Sequence, residues 1–227
     1  MYNIALDHPE IVELQKHVKV VDYKKGEIIL RPYDQNQNIY AIGEGLVKVY
    51  RINSLGEEVI SVIYGPDAIF PMMWIIEDKP QHVYFQALTA CKIGLVPKDS
   101  FLGAAMRNTE VAFALTRKIL EQFGIYASRV DNLGLKYARE RLAYQLLVLA
   151  VRFGVTKDEL ITLPHISQQD LAAMIHLSRE SVSREIKRFE KHDLIEYRKA
   201  HIIIKNPDKL RQEIGKDVDV TFYDTSS

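Results

Sequence analysis

Cysteine, net charge and long apolar runs are what this 227-residue sequence has least of. Its one cysteine, Cys91, excludes an intramolecular disulfide framework and a zinc or iron–sulfur site built on four cysteines. No apolar run has membrane length and no signal peptide is recognisable, so we expect a cytoplasmic protein without a membrane partner. The 30 basic and 30 acidic side chains cancel, which excludes nucleic-acid binding through overall charge alone.

Sequence patterns of catalysis are missing as well. The chain has no nucleophile–base spacing, no metal-ligand cluster and no phosphate-binding glycine loop, so we expect neither an enzyme nor a metal site. Hydrophobic residues make up 47% of the sequence, which is enough for a buried core, and the length allows one large or two smaller domains.

The stretch 166–189 is the most informative part of the chain, because it predicts two short helices joined by a tight turn. Ser167 suits the N-cap of the first helix and Ser178 that of the second. In the second helix the apolar residues fall on one stripe, formed by Val182, Ile186 and Phe189. The remaining residues make a polar face, so the pattern indicates a helix-turn-helix.

That polar face suits the major groove of DNA. Arginine can donate two hydrogen bonds to guanine, glutamate can accept one from the cytosine amino group, and serine can contact a base or a phosphate. The alternative is an ordinary solvated face, since any amphipathic surface helix carries charges on one side. Residues 165–205 hold eight basic and six acidic side chains, a modest local excess that favours DNA. The candidate DNA-binding residues are Ser167, Gln168, Ser178, Arg179, Glu180, Ser183, Arg184, Lys187, Arg188 and Lys199.

Short β-like runs flank the two helices, at 161–163 before them and at 194–197 and 201–204 after them. This order predicts a winged helix-turn-helix whose tip, with Lys199, lies against the sugar-phosphate backbone. The segment Ser178–Arg184 resembles the recognition-helix signature S-R-E-T-V-S-R of the CRP/FNR family of bacterial transcription regulators, with serine at position 181.

The resemblance to the CRP/FNR family spans nearly the whole chain. It implies a homodimer that binds an inverted repeat in double-stranded DNA, with RNA polymerase as a further candidate partner. It also implies an α+β fold with a β jelly roll at 1–108, a dimerisation helix and hinge at 109–134, and a winged helix-turn-helix domain at 135–227. The alternative is a small-molecule-binding signalling module whose helix-turn-helix does not contact DNA.

Short β-runs broken by turns from about residue 18 to residue 101 predict the jelly roll. The phrase Tyr40–Tyr50 resembles the start of a cyclic-nucleotide-binding domain. In that family a Gly-Glu pair and, about ten residues later, an Arg-Ser or Arg-Thr pair hold the cyclic phosphate and ribose. Here Phe70-Pro71 and Gln81-His82 occupy those positions, and no arginine occurs between Arg51 and Arg107. We therefore expect that the domain does not bind cyclic AMP in the usual way.

The apolar segment 72–75 has two interpretations. Met72, Met73, Trp74 and Ile75 can simply plug the roll, which leaves a scaffold without a ligand. Alternatively, the segment lines an apolar effector pocket. The residues of that pocket would be Met72, Trp74, Gln81, His82, Tyr84 and Tyr126. Haem bound by His82 is improbable, because a lone histidine is more often structural. We predict that Cys91 is a buried small hydrophobe rather than a redox switch.

A long helix is predicted from about Thr109, where Thr109-Glu110 offers an N-cap, to Leu133. Its apolar residues are spaced four and three apart, which is typical of a coiled-coil seam. The seam consists of Ile119, Phe123, Tyr126, Val130 and Leu133, followed by Tyr137. Packing against the same helix of a second subunit would cover it, and burial within one domain is the alternative. Asn132-Leu133-Gly134 resembles a hinge.

Overall fold

Strands separated by turns make up most of the N-terminal part of the computed structural model, which describes residues 18–79, 81–198 and 201–215. Eight strands come first: β1 (Lys19–Tyr23), β2 (Ile28–Leu30), β3 (Asn38–Glu44), β4 (Val47–Ile52), β5 (Glu58–Tyr64), β6 (Ile69–Phe70), β7 (Tyr84–Ala87) and β8 (Cys91–Pro97). They form two four-stranded sheets with the orders β1-β8-β3-β6 and β2-β7-β4-β5. Apart from β4 and β5, neighbours in the sheets are distant in the chain, which is the arrangement of the predicted jelly roll.

The turn between β3 and β4 requires glycine. Gly45 has a φ of +90°, and a Cβ atom placed on it would lie 2.2 Å from the carbonyl oxygen of Ala90. Any residue other than glycine is excluded at position 45, because its backbone conformation would be strained and its Cβ atom would clash with Ala90. The turn brings Leu46 to the Cys91 thiol, which donates a hydrogen bond to its carbonyl at 3.2 Å. Cys91 is buried as predicted, and this burial raises the pKa of its thiol.

The apolar segment after β6 folds into a short helix, α1 (Met72–Glu77). Met72, Trp74 and Ile75 are buried, whereas Met73 is exposed, because residues of a helix point to different sides. The sequence interpretation had placed all four in the interior of the roll. The predicted plug is therefore wrong for Met73. Met72 and Ile75 pack into a core with Phe101, which lies on α2 (Lys98–Arg107), and with Val111.

The long helix is present as α3 (Thr109–Gly134), within one residue of its predicted end. Its N-terminus is capped by Asn108 rather than by Thr109-Glu110, since the Asn108 side-chain oxygen accepts a hydrogen bond from the Glu110 backbone N–H at 2.9 Å. Helix α4 (Ala138–Phe153) follows, and its apolar residues are almost all buried. Hydrogen bonds to Arg141 of α4 fix the linker between the two helices. The Asn132 side chain, near the end of α3, donates to the Arg141 carbonyl, and the Arg141 side chain donates to the carbonyl of Leu135 in the linker.

The C-terminal part contains the predicted winged helix-turn-helix. Its elements are β9 (Val155–Lys157), β10 (Leu160–Thr162), α5 (Gln168–Ile175), α6 (Arg179–Lys191), β11 (Ile195–Arg198), β12 (His201–Ile204) and α7 (Pro207–Gln212). The four strands form one sheet in the order β11-β12-β10-β9. Strand β9 had not been predicted, because its three residues are all exposed and show no alternation.

The fold separates into two compact units. The first contains the described residues up to Ile52 together with Ile60–Phe123, and the second contains Asn53–Val59 and the described residues from Gly124 onward. The division thus falls inside α3. Across the described residues, no helix combines the length and hydropathy needed to cross a membrane.

Candidate nucleic-acid interface

The first helix of the helix-turn-helix is fixed at both ends by local hydrogen bonds. At its start the Ser167 hydroxyl accepts from the Asp170 backbone N–H at 3.1 Å, and the Asp170 carboxylate accepts from Ser167 in return. This capping box confirms Ser167 as the N-cap. At the other end His176 adopts the left-handed conformation, with a φ of +53°, which ends the helix and starts the turn.

The second helix, α6, begins at Ser178 as predicted. The Ser178 hydroxyl accepts a hydrogen bond from the Ser181 backbone N–H at 3.1 Å. The stripe of Val182, Ile186 and Phe189 is buried. Since this stripe anchors the helix in the domain, the opposite face is directed outward and can meet a ligand.

The outward face carries most of the sequence-predicted residues. Arg179, Glu180, Arg184 and Lys187 are exposed, and Ser183 is half-buried. Sequence reasoning missed Ser181, whose hydroxyl accepts a hydrogen bond from the Arg184 guanidinium at 3.0 Å. The same hydroxyl also lies 3.0 Å from that of Ser178. The two serine hydroxyls thus orient the Arg184 side chain. The only sequence signal for this arrangement was the i, i+3 spacing of Ser178, Ser181 and Arg184.

The N-terminus of α6 favours the ionised form of Glu180. A hydrogen bond from its own backbone N–H, and a second from Ser178, lower the pKa of the Glu180 carboxyl, with a smaller contribution from the nearby arginines. The side chain is fully exposed, so the carboxylate stays ionised and accessible at neutral pH. An ionised carboxylate only accepts hydrogen bonds, which suits a base that presents an amino group.

Arg188 differs from the other predicted contacts. Its guanidinium donates to the Glu213 carboxylate at 3.1 Å, and it lies 3.5 Å from Glu185. The side chain therefore ties α6 to the residues that follow α7 instead of extending toward a ligand. This pairing supports the domain, and the predicted DNA contact of Arg188 stays a prediction.

The wing is joined to α6 through its first strand. The backbone N–H of Tyr197 donates to the Glu190 carboxylate at 2.9 Å, and Arg198 forms an ion pair with Glu196.

Gln168, the first residue of α5, is half-buried at the same end of that helix as Ser167. The predicted tip residue Lys199 lies outside the described residues.

The turn of the helix-turn-helix also contacts the long helix. The Arg129 guanidinium donates to Nε2 of His176 at 2.8 Å. Both residues belong to the second unit. The contact therefore joins the C-terminal part of α3 to the residue that separates α5 from α6.

Comparison with known proteins agrees with this geometry. A model described as a cyclic nucleotide-binding domain matches residues 20–108, and one described as a Crp-like helix-turn-helix domain matches residues 140–213. This chain belongs to the CRP/FNR family. The CRP/FNR fold is shared with the solved structure of FixK2 from Bradyrhizobium japonicum, which has a TM-score of 0.77, is 23% identical, and matches over 88% of this chain and 99% of that chain.

Two curated relatives of this CRP/FNR protein are named as regulators. The CRP-like cAMP-activated global transcriptional regulator of Mycobacterium tuberculosis is 23% identical over 201 residues, which cover 88% of this chain and 90% of that protein. The nitrogen fixation regulation protein FixK of Rhizobium meliloti is 28% identical over 223 residues, covering 93% and 98% of the two chains. The family is one of DNA-binding transcription regulators.

The sequence-predicted effector residues of this CRP/FNR protein do not share one face. Phe85 stacks on Phe70 with ring centroids 4.8 Å apart, which places Phe85 inside the roll. Tyr84 precedes it on β7 and stacks on Tyr50 instead, at 5.0 Å. Because successive strand residues point to opposite faces, Tyr84 faces away from the roll interior. The effector pocket that the sequence predicts at Tyr84 stays a prediction.

The other predicted effector residues are similarly dispersed. The exposed His82 is hydrogen-bonded through Nδ1 to the hydroxyl of Tyr33, and Gln81 beside it is half-buried. Met72 and Trp74 are buried. Tyr126 belongs to the second unit, whereas the other predicted effector residues belong to the first.

The predicted dimer residues on α3 are all exposed in the protomer. They are Ile119, Phe123, Tyr126, Val130 and Leu133. Burial within one domain is therefore not how this apolar face is covered. An exposed apolar stripe along a helix of this length is typical of a protein–protein contact.

Proposed function

We propose that this CRP/FNR protein is a homodimeric, sequence-specific DNA-binding transcription regulator that binds an inverted repeat. It is controlled by an effector other than a cyclic nucleotide, or by none. The observation that carries the proposal is α6, which has a buried apolar stripe and an outward face with an ionised Glu180 and an oriented Arg184.

Base readout is assigned to the N-terminal half of α6. Glu180, Ser183 and Arg184 share one face of the helix at i, i+3 and i+4. Arg184 contacts guanine, and Glu180 accepts from a cytosine or adenine amino group on the opposite strand. The Glu…Ser-Arg combination favours half-sites of TTGAT or TGTGA type, about one helical turn apart.

Two features support control without a cyclic nucleotide. Phe70 takes the place of the glycine in the family's Gly-Glu pair and stacks on Phe85 inside the roll. Tyr40 and Tyr64 stack on the same Phe70 ring. In addition, no arginine lies between Arg51 and Arg107 to neutralise a cyclic phosphate.

Selection of bound sequences from random duplex DNA tests the function. We expect a two-fold-symmetric site with a guanine in each half. Arg184→Ala should cost about 1–3 kcal/mol of binding free energy and relax the preference at that guanine. The matched control is Arg211→Ala, which removes the same charge from an exposed ion pair with Asp208 in α7 and should leave base preference unchanged.

Two results would count against the proposal. A selection that returns no two-fold-symmetric site would favour the alternative of a signalling module whose helix-turn-helix does not contact DNA. An unchanged guanine preference in Arg184→Ala would remove the assigned reader.

A further inference from the structure

Aromatic rings that stack on Phe70 fill the interior of the β-roll. The centroid of the Phe85 ring lies 4.8 Å from that of Phe70, and the Tyr40 and Tyr64 rings lie at 5.3 and 6.1 Å. The planes of these rings are within 18° of the Phe70 plane, and none of the four side chains is more than 7% exposed. Centroid separations of about 4.5–7 Å are those of rings in direct contact, so Phe70 meets its neighbours with no further ring between them.

Phe70 stands at a position where the family approaches its ligand. In cyclic-nucleotide-binding relatives this position is the glycine of the Gly-Glu pair, which has no side chain and leaves the interior open. In this chain the Phe70 side chain is 1% exposed and stacks inside the roll. Its ring therefore takes up interior space that a glycine would leave to a bound molecule.

Lys48, a buried cation of the roll, is directed away from the stack. It is 8% exposed and pairs with Gln86, the residue that follows Phe85 on β7. Because successive strand residues point to opposite faces, Lys48 lies on the other face of the sheet, with its ammonium group 4.9 Å from the centre of the Tyr50 ring. Within the stack, burial raises the pKa of Tyr40 to about 12, so its hydroxyl stays neutral. The interior around the stack thus suits a neutral ring rather than an anion.

The strand that carries Phe70 is also bound to the long helix α3. Strand β6 is at the edge of its sheet, and the Ala68 carbonyl just before it accepts a backbone hydrogen bond from β3 at 3.0 Å. Because successive carbonyls of a strand point to opposite sides, the Ile69 carbonyl is directed away from β3. Its partner is Gln122 of α3, whose side-chain amide donates to it at 2.8 Å. The residue next to the stacked ring thus holds a helix that continues unbroken to the linker before α4.

We propose that Phe70 is an internal ligand of the roll, a side chain that takes the place of an effector. Its ring keeps the interior filled, and the hydrogen bond from Gln122 to the preceding residue holds α3 in the position that DNA binding requires. The protein therefore binds its DNA site without a small molecule in the roll. This inference rests on the proposed function and decides between its two forms of control in favour of none.

Native mass spectrometry of the wild-type protein on the selected duplex tests for an effector. The complex should have the summed mass of its protein chains and the duplex. A small molecule retained in stoichiometric amount would overturn the proposal.

Removal of the ring and its replacement by a free one test the role of Phe70. Phe70→Ala should weaken binding to the selected duplex about tenfold, and benzene should restore the affinity to within about threefold, because an engineered apolar cavity can bind benzene. Ile93→Ala is the matched control, since Ile93 is equally buried on β8 and lies outside the stack. It should lower the free energy of unfolding as well, but its DNA affinity should not respond to benzene. Fluorescence anisotropy measures the affinities.

Two substitutions of Gln122 test the link to α3. Gln122→Met has a similar length without a donor and should weaken DNA binding about threefold, whereas Gln122→Lys retains a donor and should bind like the wild type. Circular dichroism verifies the fold of each variant. Equal losses in both would show that the hydrogen bond to Ile69 is not the link. This pair also decides the proposal if Phe70→Ala does not fold.

The outcomes separate this inference from the proposed function. A wild-type protein that selects a two-fold-symmetric site, with a Phe70→Ala variant that binds it equally well, would overturn the internal ligand and leave the function intact. A weakened Phe70→Ala variant that benzene does not restore would mean that the ring only supports the core. A wild-type protein that selects no such site would contradict the proposed function itself.

Discussion

At the scale of single residues, Ser178 and Ser183 have the same side chain but different roles at α6. Ser178 accepts a hydrogen bond from the backbone N–H of Ser181 and so satisfies one of the unpaired donors of the helix start. Ser183 lies one turn further along on the face assigned to the bases. Replacing each by alanine should therefore separate helix stability from DNA recognition.

Ser178→Ala should lower the free energy of unfolding by about 1 kcal/mol, the usual value of an N-cap hydrogen bond. Ser183→Ala, the matched control, should change it by less than about 0.5 kcal/mol, as surface substitutions commonly do. Urea denaturation followed by circular dichroism measures both. Equal losses in the two variants would mean that the cap does not stabilise α6.

At the scale of elements, one contact joins α3 to the turn between α5 and α6. Arg129 donates to His176, which holds a left-handed conformation that most residues avoid. The contact limits the freedom of the turn relative to the end of α3. We therefore expect it to contribute to the positioning of the reader.

A double-mutant cycle with Arg129→Gln and His176→Asn tests this contact, since asparagine tolerates the left-handed conformation. Each single variant should weaken binding to the selected DNA about threefold, and the double variant should bind no worse than the singles, as expected for residues that act on each other. Fluorescence anisotropy measures the four affinities. Fully additive losses would show that the two side chains act independently.

The β-roll gives a second prediction at the element scale. Stacked aromatic rings occupy its interior, and Gln81-His82 stands where the family has the arginine that holds the cyclic phosphate. Cyclic AMP should therefore not bind with a dissociation constant in the micromolar range or below. Isothermal titration calorimetry on the full chain measures this directly, and micromolar or tighter binding would contradict the interpretation of Phe70-Pro71 and Gln81-His82.

At the scale of the whole molecule, the proposed dimer would supply the DNA affinity that overall charge does not. The net charge is zero, so a single protomer has little general attraction for the phosphate backbone. A dimer doubles the number of specific contacts on one palindromic site. Breaking the dimer should therefore weaken specific binding far more than any change in overall charge would.

Val130→Glu should convert the dimer into monomers, because it buries two like charges beside each other across the contact. Val155→Glu on β9 is the matched control, since Val155 is equally exposed, at 68%. Analytical ultracentrifugation measures the mass of each variant, and anisotropy measures binding to the inverted repeat. A Val130→Glu protein that remains dimeric would exclude α3 as the contact.

The sequence predicted those features that depend on local patterns. The caps at Ser167 and Ser178, the buried stripe of α6 and the length of α3 all follow from residues close together in the chain, and each was confirmed. The order of strands also predicted a jelly roll, because glycine turns such as that at Gly45 separate the strands. Local conformational preferences and periodicity determine such features before the chain packs.

Only the tertiary structure decided features that depend on distant neighbours. Only the fold brings Arg188 to Glu213, 25 residues later, with which it pairs. Tyr84 and Phe85 are adjacent aromatics, and only strand pairing decides which of the two faces Phe70. Likewise, Val111 and Leu115 of α3 are buried because they pack in a core with residues distant in the chain, such as Ile39. The sequence by itself thus determined most of the elements and the family. Packing decided which side chains remain available for a partner, because availability depends on what covers each face.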